Sequence, residues 1–324
     1  MLRKALKRTG IGLGVLVVLL ALLVTTLYVY PLGSDRATNP KVTALPFAQA
    51  KAAAEVAVQQ DTAKGDVRPE CRTKLLTHPD RPAKSVLMLH GYTSCPEDYD
   101  ELAELFYRQG YNVYAPREAH HGLTNKQATA DVSVDGLLDY ADSGLDIAAG
   151  LGQEVGVIGI SGGADLATWL AEYRTESVAH LLALSPFYQP GPKQAPGIVV
   201  RPITVLYGYH LVPDKINERG FSFSALTQYL RIVHNYRDRP VNDKLRSVAV
   251  VTSANDDLID LRRAVEVPRG IAENSGVPLL SHEFPSALGF EHAILDQENL
   301  GTRAAAINTY YLDLYEGRGS TPPV

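Results

Sequence analysis

The sequence predicts an α/β domain with a mostly parallel central sheet, preceded by a transmembrane helix. Three observations lead to this prediction. Short apolar runs alternate with amphipathic helical patterns from residue 71 onward. Two of these runs, at 155–160 and 248–252, are apolar almost throughout, which is typical of parallel strands that helices cover on both faces. A longer apolar segment at 11–30 contains no charged residue.

The composition limits the classes of protein that the chain can represent. Its 324 residues are 45% hydrophobic and 21% charged, which indicates one large packed domain and excludes a disordered chain. The formal net charge of −5 argues against a nucleic-acid-binding protein, which would need a basic surface. The two cysteines are too few for a disulfide-framework miniprotein or a zinc site built from cysteines.

Residues 1–30 are predicted to be a basic tip followed by a signal anchor. The twenty residues Ile11–Tyr30 would form a helix about 30 Å long, which matches the hydrocarbon core of a bilayer. The nearest small-x-small cleavage pattern, Ala48–Ala50, lies far beyond the apolar segment, so we expect the anchor to stay uncleaved. Four basic residues and no acid precede it: Arg3, Lys4, Lys7 and Arg8. The N-terminus is therefore expected in the cytoplasm, with the rest of the chain extracytoplasmic, which means the periplasm or the cell surface if the source is bacterial.

Residues 31–70 are predicted to connect the anchor to the main domain at 71–324. They contain turn-forming residues and an alanine-rich stretch, 48–57, with high helix propensity. Such a helix would either lie on the domain or act as a stalk that spaces it from the bilayer.

The main domain shows seven strand-like segments and five helical patterns. The strands are expected at Cys71–Thr77, Ser85–His90, Tyr111–Ala115, Val155–Ile160, His180–Leu184, Val248–Thr252 and Pro278–Phe284. The helices are expected at Glu97–Arg108, Val134–Ala149, Ala164–Tyr173, Leu261–Asn274 and Gly301–Tyr315. The long insertion at about 187–246 predicts a cap over the carboxyl ends of the strands. It contains five aromatic residues that could form the walls of a pocket: Tyr207, Tyr209, Phe221, Phe223 and Tyr229.

Residues 159–163 form a G-x-S-x-G pentapeptide centred on Ser161. The motif ends a buried strand and begins a helix, which is the strand–turn–helix context of a nucleophile elbow. Gly159 and Gly163 would relieve steric conflict across the turn, and the helix N-terminus would favour developing negative charge. Ser161 is therefore the predicted nucleophile. A glycine-rich phosphate cradle or a plain tight turn is the alternative.

The strand at 85–90 ends in His90 and Gly91, and the loop after it is expected to supply part of an oxyanion hole. In an elbow hydrolase one donor comes from this loop and the other from the residue after the nucleophile. The backbone N–H groups of Tyr92 and Gly162 are the predicted donors. His90 itself is expected to be structural.

A serine nucleophile needs a base, and the base needs an orienting acid that precedes it in chain order. His292, in a loop before the last helix, is preferred over His282, which lies within a strand, and over His234. Candidate acids follow the strand at 248–252. Asp256 is favoured, Asp257 is a rival, and Asp260 is expected to cap a helix.

Cys71 and Cys95 flank the segment that contains the predicted oxyanion loop. Outside the cytoplasm two thiols tend to pair. A disulfide would close a loop of about 25 residues and stabilise the fold by about 3 kcal/mol. Two independent, partly buried thiols are the alternative.

Four segments resemble the α/β-hydrolase superfamily, in its monoacylglycerol-lipase-like and bacterial carboxylesterase branch. They are LMLHGYTSCPEDY at 87–99, GISGG at 159–163, SANDDLID at 253–260 and EHAILDQE at 291–298. The resemblance covers about residues 71–316, and it implies an α/β-hydrolase fold with Asp256 as the acid and His292 as the base. One motif departs from the family pattern, because His120 in PREAHHG at 116–122 occupies a position that is often glycine.

The resemblance further implies hydrolysis of carboxylic esters through an acyl-serine intermediate. It implies no metal and no organic cofactor, and the expected partners are a small ester or lipid substrate and the membrane that holds residues 11–30. Serine peptidases and thioesterases use the same fold and triad, and a non-catalytic binding protein is the alternative outside enzymes.

Overall fold

The central feature is a seven-stranded sheet with the spatial order β1-β3-β2-β4-β5-β6-β7. The computed structural model describes residues 2–323, with side chains from residue 11 onward. The strands are β1 Lys74–Leu76, β2 Lys84–Leu89, β3 Tyr111–Ala115, β4 Glu154–Ile160, β5 Val178–Leu184, β6 Ser247–Ser253 and β7 Leu279–Phe284. Only the β1–β3 pair is antiparallel among these strands, so the prediction of a mostly parallel sheet is confirmed.

Helices cover both faces of the sheet, as predicted. They are α1 Leu2–Val29, α2 Asp35–Thr38, α3 Phe47–Ala63, α4 Asp100–Arg108, α5 Val134–Leu151, α6 Gly162–Tyr173, α7 Gly197–Gly208, α8 Phe223–His234, α9 Leu261–Ser275, α10 Gln297–Leu300 and α11 Ala304–Tyr315. On one face of the sheet, an apolar core is formed with α5, α6 and α9. A second core joins α4 and α11 to the opposite face. The strands β2, β4, β5 and β6 are buried over nearly their whole length, which explains their apolar composition.

The insertion between β5 and β6 contains α7 and α8, which the sequence patterns did not predict. These two helices pack on each other, and α8 also packs on α6. Tyr229 of α8 reaches the start of α6, where a Cβ atom on Gly162 would lie 2.7 Å from its ring. The insertion therefore contacts the turn that carries Ser161.

The segment between α1 and the sheet lies on the domain, which is one of the two arrangements left open above. Its helix α3 packs on α5. Arg36 forms an ion pair of 2.6 Å with the buried Asp142 of α5, which also binds Arg174 at 3.0 Å. The indole of Trp169 donates a hydrogen bond of 2.8 Å to the carbonyl oxygen of Ala37. Residues 36–63 are thus held by buried polar contacts and by apolar packing.

Within the described residues, α1 is the one helix that is long and apolar enough to cross a membrane. Its segment Ile11–Val29 has a mean hydropathy of 2.6, and none of it is buried against the rest of the chain. The end of α1 contacts α7, where Arg201 donates to the carbonyl oxygens of Tyr28 at 2.5 Å and Tyr30 at 2.8 Å. The side chains of the four basic residues of the predicted cytoplasmic tip lie outside the described part of the chain.

Glu172 of α6 makes stability depend on pH. Its side chain is buried and accepts a hydrogen bond of 2.8 Å from the backbone N–H of Arg237, and burial raises its pKa from 4.5 to about 8. The folded state therefore holds a proton that the unfolded state releases between pH 4.5 and 8. We expect this group to lower the free energy of unfolding as pH rises through that window, by up to about 1.4 kcal/mol per pH unit.

Urea unfolding between pH 5 and pH 8 measures this dependence, and Glu172→Gln is expected to flatten it. The exposed Glu266 of α9 provides a matched Glu266→Gln control that should leave the pH dependence unchanged. An equal pH dependence in Glu172→Gln and wild type would contradict the prediction.

Candidate active site

The turn between β4 and α6 carries Ser161 in a strained backbone conformation. Its φ of 54° and ψ of −123° are rare for a residue with a side chain. The neighbouring glycines allow this turn to pack closely. A Cβ atom on Gly163 would lie 2.0 Å from the carbonyl oxygen of Leu89, and one on Gly159 would lie 2.2 Å from that of Gly163. The chain therefore turns sharply at Ser161, with Gly159 and Gly163 closely packed on either side of it.

Ser161, His292 and Asp256 are brought together at the carboxyl edge of the sheet. The Nε2 atom of His292 lies 2.8 Å from the hydroxyl oxygen of Ser161, and its Nδ1 atom lies 2.7 Å from a carboxylate oxygen of Asp256. The Asp256 side chain is fully buried, whereas that of His292 is 20% exposed. Because Nδ1 faces a carboxylate, it carries the proton that it donates, and Nε2 is left to accept the proton of the serine.

Local contacts hold the acid and the base in these positions. The second oxygen of Asp256 accepts a hydrogen bond of 3.1 Å from the backbone N–H of Leu258. The hydroxyl of Ser253, at the end of β6, donates to the carbonyl oxygen of Phe290 at 2.5 Å. The loop that carries His292 is thereby tied to the end of β6, three residues before Asp256.

The rival residues lie elsewhere. Asp257 is exposed, and within residues 11–323 it makes no hydrogen bond to His292. Asp260 caps the start of α9, as expected, by accepting a backbone N–H at 3.0 Å. His282 lies on β7 between aromatic rings, and His234 is exposed at the end of α8.

The two predicted oxyanion donors flank Ser161. Gly162 is the first residue of α6, so its N–H has no acceptor within the helix. In the described part of the chain the N–H of Tyr92 also donates to no protein acceptor. The Tyr92 hydroxyl accepts from the N–H of Ser222 at 2.6 Å and donates to its carbonyl oxygen at 2.8 Å, which ties this loop to the cap. Both N–H groups remain available for a ligand.

His90 has the structural role expected from the sequence. Its Nδ1 atom donates to the carbonyl oxygen of Gly91 at 2.9 Å, and its Nε2 atom accepts from the N–H of Glu118 at 3.1 Å. Burial, reinforced by the neighbouring His121, lowers the pKa of His90 to about 3. The ring is therefore neutral, and its two hydrogen bonds hold the loop in place.

A cavity of about 270 Å³ opens over Ser161. Its walls are largely apolar, and their apolar side chains include Phe187, Pro190, Phe221, Leu226 and Leu258. Of the five cap aromatics that were expected to form pocket walls, only Phe221 lines this cavity. That expectation was wrong for the others, because α7 and α8 turn most of their aromatic rings toward each other and toward the anchor, as with Tyr207 against Phe223 and Tyr209 against Tyr30. A larger cleft of about 560 Å³ lies between α7, α8 and α9 and does not include Ser161.

Cys71 and Cys95 form a disulfide in the structure. Both are buried, and Cys95 directly follows the predicted oxyanion loop at 91–94. Within residues 11–323, Cys71, Cys95 and Glu97 are the only cluster of potential metal ligands, and the disulfide occupies both sulfurs. The two sulfurs are therefore bonded to each other, and the cluster is unsuited to bind a metal.

Removing the disulfide is expected to destabilise the protein. Cys71→Ser/Cys95→Ser should lower the free energy of unfolding by about 3 kcal/mol, because the unfolded chain regains the freedom of a loop of about 25 residues. Urea unfolding measures the loss, with reduced wild type as the control. Alkylation of both thiols in the unfolded, unreduced protein would contradict the pairing.

Sequence reasoning missed a buried set of side chains behind the oxyanion loop. Asp61 of α3 pairs with Arg117 at 2.6 Å, and His121 contacts the carbonyl oxygen of Tyr92. The only sequence feature that pointed to this region was the departure from the family pattern at His120, in the PREAHHG segment at 116–122. His120 itself is half-exposed, and its backbone N–H donates to Glu118 at 2.8 Å.

Comparisons with known proteins agree with this architecture. The family model described as "Serine aminopeptidase, S33" matches residues 80–271, which include Ser161 and Asp256 and end before His292. A search of curated proteins finds no significant match.

Three solved structures share the fold at low identity. A structure from a study of the metagenome-derived lipolytic enzymes LipS and LipT is 17% identical, with a TM-score of 0.58 over 78% of this chain and 100% of its own. A soluble variant of the monoglyceride lipase from Saccharomyces cerevisiae is 13% identical, with a TM-score of 0.56 over 75% and 91%. The monoacylglycerol lipase of Paleococcus ferrophilus is 19% identical, with a TM-score of 0.54 over 74% and 98%. At these identities the likeness establishes the fold.

Proposed function

This chain belongs to the S33 serine aminopeptidase family of α/β-hydrolases, and we propose that it is a serine hydrolase that cleaves carboxylic esters through an acyl-serine intermediate. The observation that carries the proposal is the hydrogen-bonded series from Asp256 through His292 to Ser161, with distances of 2.7 and 2.8 Å. These are the nucleophile, base and orienting acid that acyl transfer requires.

In the proposed mechanism, His292 takes the hydroxyl proton of Ser161 as the oxygen attacks the ester carbonyl carbon. Asp256 holds the imidazole in the required tautomer and stabilises the imidazolium. The N–H groups of Tyr92 and Gly162 stabilise the tetrahedral oxyanion, each by about 3 kcal/mol. His292 then gives its proton to the leaving alcohol. Water, activated by the same imidazole, releases the acid and restores the serine.

The cavity over Ser161 favours an apolar acyl group. Its aliphatic and aromatic walls match a short or medium alkyl chain, and its volume of about 270 Å³ is small for a drug-sized ligand. Monoacylglycerols and simple aliphatic esters fit this description. With α1 as an uncleaved anchor and the domain outside the cytoplasm, the substrate would be an ester or lipid near the membrane surface. Protease accessibility of the domain in intact spheroplasts tests this orientation, and protection of the domain would reverse it.

One residue favours peptide hydrolysis as a second candidate activity. Asp98 lines the same cavity, and burial raises its pKa to about 6. A carboxylate beside the nucleophile could bind the ammonium group of an aminoacyl substrate. The largely apolar lining of the cavity favours the ester.

A substrate panel on the detergent-solubilised full chain separates the two activities. The panel contains p-nitrophenyl esters of increasing chain length, monoacylglycerols, an acyl thioester and aminoacyl p-nitroanilides. We expect kcat/KM to be highest for a short or medium ester. Faster cleavage of p-nitroanilides than of any ester, lost in Asp98→Asn, would favour the aminopeptidase. Absence of turnover on the whole panel would favour a binding protein.

A further inference from the structure

Helix α3, which lies outside the segment matched by the family model, is connected to the oxyanion loop through buried charges. Asp61, in the last turn of α3, accepts hydrogen bonds from Arg117 Nε at 3.0 Å and Nη2 at 2.6 Å. The other oxygen of Asp61 accepts from Thr73 N at 2.9 Å and Oγ1 at 2.7 Å. Burial alone would raise the pKa of Asp61, but these hydrogen bonds outweigh it and hold the pKa below its ordinary value.

Arg117 organises the loop that follows it. Its remaining terminal nitrogen, Nη1, donates to the carbonyl oxygens of Glu118 at 2.9 Å, Ala119 at 2.8 Å and His121 at 3.0 Å. The loop therefore curls around the guanidinium, whose side chain is only 3% exposed. Because Asp61 holds the other side of that guanidinium, the position of the loop depends on α3.

His121 completes the connection to the active site. Its Nδ1 atom lies 2.5 Å from a carboxylate oxygen of Glu118, and its Nε2 atom faces the carbonyl oxygen of Tyr92. The imidazole therefore bridges the carboxylate of Glu118 and the backbone of Tyr92. Burial would raise the pKa of Glu118, but the hydrogen bond and charge of His121 outweigh this and lower it to about 2.

We propose that Asp61, Arg117, Glu118 and His121 form a relay that positions the oxyanion hole. His121 holds the carbonyl oxygen of Tyr92 on one side of that residue. On the other side Glu118 donates its N–H to His90, which in turn donates to the carbonyl oxygen of Gly91, and this carbonyl shares a planar peptide unit with the Tyr92 N–H. These contacts together fix the direction of the Tyr92 N–H toward the reacting carbonyl. Donors that are fixed before charge develops stabilise the transition state most. The proposal rests on the hydrolase function proposed above and assigns α3 a part in catalysis, with these four as positioning residues.

Asp61→Asn in the full chain tests the relay, since the amide keeps the shape but loses the charge that holds Arg117. We expect kcat for p-nitrophenyl butyrate to fall about tenfold or more, while KM changes less than about twofold. The affinity of an alkyl trifluoromethyl ketone, which forms a charged hemiketal with the serine, should fall in proportion to kcat/KM. The affinity of the matched alkyl alcohol, which forms no oxyanion, should stay the same.

Asp142→Asn is the matched control, because Asp142 is an equally buried carboxylate that ties residues 36–41 to α5 without contacting the loop. It should lower the melting temperature and leave kcat within about twofold. Glu118→Gln provides a second variant if Asp61→Asn does not fold. It leaves the Asp61–Arg117 pair intact and should show the same parallel loss of kcat and of ketone affinity.

Equal kcat values in Asp61→Asn and Asp142→Asn, or unchanged ketone affinity in the relay variants, would overturn the relay and leave the hydrolase function standing. An inactive wild type that also fails to bind the ketone would refute the proposed function, and the relay with it. All rates are measured well below the melting temperature of each variant.

Discussion

Replacing Ser161 by alanine is expected to lower kcat by at least about 10³-fold, and His292→Ala should have an effect of similar size. The two residues act as one unit, because the hydroxyl becomes nucleophilic only as the imidazole 2.8 Å away removes its proton. The double variant should therefore be little worse than either single variant. Initial rates on p-nitrophenyl butyrate measure the loss.

A fluorophosphonate probe gives an independent readout of the nucleophile. Wild type should be labelled, and Ser161→Ala should not. Ser85→Ala is a suitable control, because Ser85 is a buried serine on β2 whose hydroxyl donates only to backbone carbonyl oxygens. It should retain labelling. Labelling of Ser161→Ala at the wild-type rate would place the nucleophile on another residue.

The second large effect is expected for Asp256→Asn, with a fall in kcat of about 10³- to 10⁴-fold. The amide can donate a proton toward Nδ1, which favours the tautomer with its proton on Nε2. The imidazole then cannot accept the serine proton. The Asp256 side chain is fully buried, so solvent cannot substitute for the lost charge.

Asp257→Asn is the matched control for this prediction. Its side chain is the next carboxylate in the sequence but is exposed to solvent, and kcat should change less than about threefold. Circular dichroism establishes that both variants are folded. A greater loss of kcat in Asp257→Asn than in Asp256→Asn would reverse the assignment of the acid.

The seven strands and the turn at Ser161 could be predicted from the sequence because their signals are local. An uninterrupted apolar run identifies a strand buried on both faces wherever it packs, and the glycines around Ser161 are required by contacts within a few residues of the turn. Local signals leave Asp257 as a rival to Asp256. Adjacent residues have the same local context, and the direction of each side chain depends on the chain around it.

The sequence by itself determined the fold class, the position of the apolar helix and the identity of the elbow serine, because each depends on residues that are neighbours along the chain. Only the tertiary structure decided how the alanine-rich segment packs, which cap aromatic reaches the cavity, and that Asp61 lies behind the oxyanion loop. The physical reason is separation along the chain. Asp61 and Arg117 are 56 positions apart, as Ser161 and His292 are 131 apart, and such pairs meet only when the packed core fixes the paths of the segments between them.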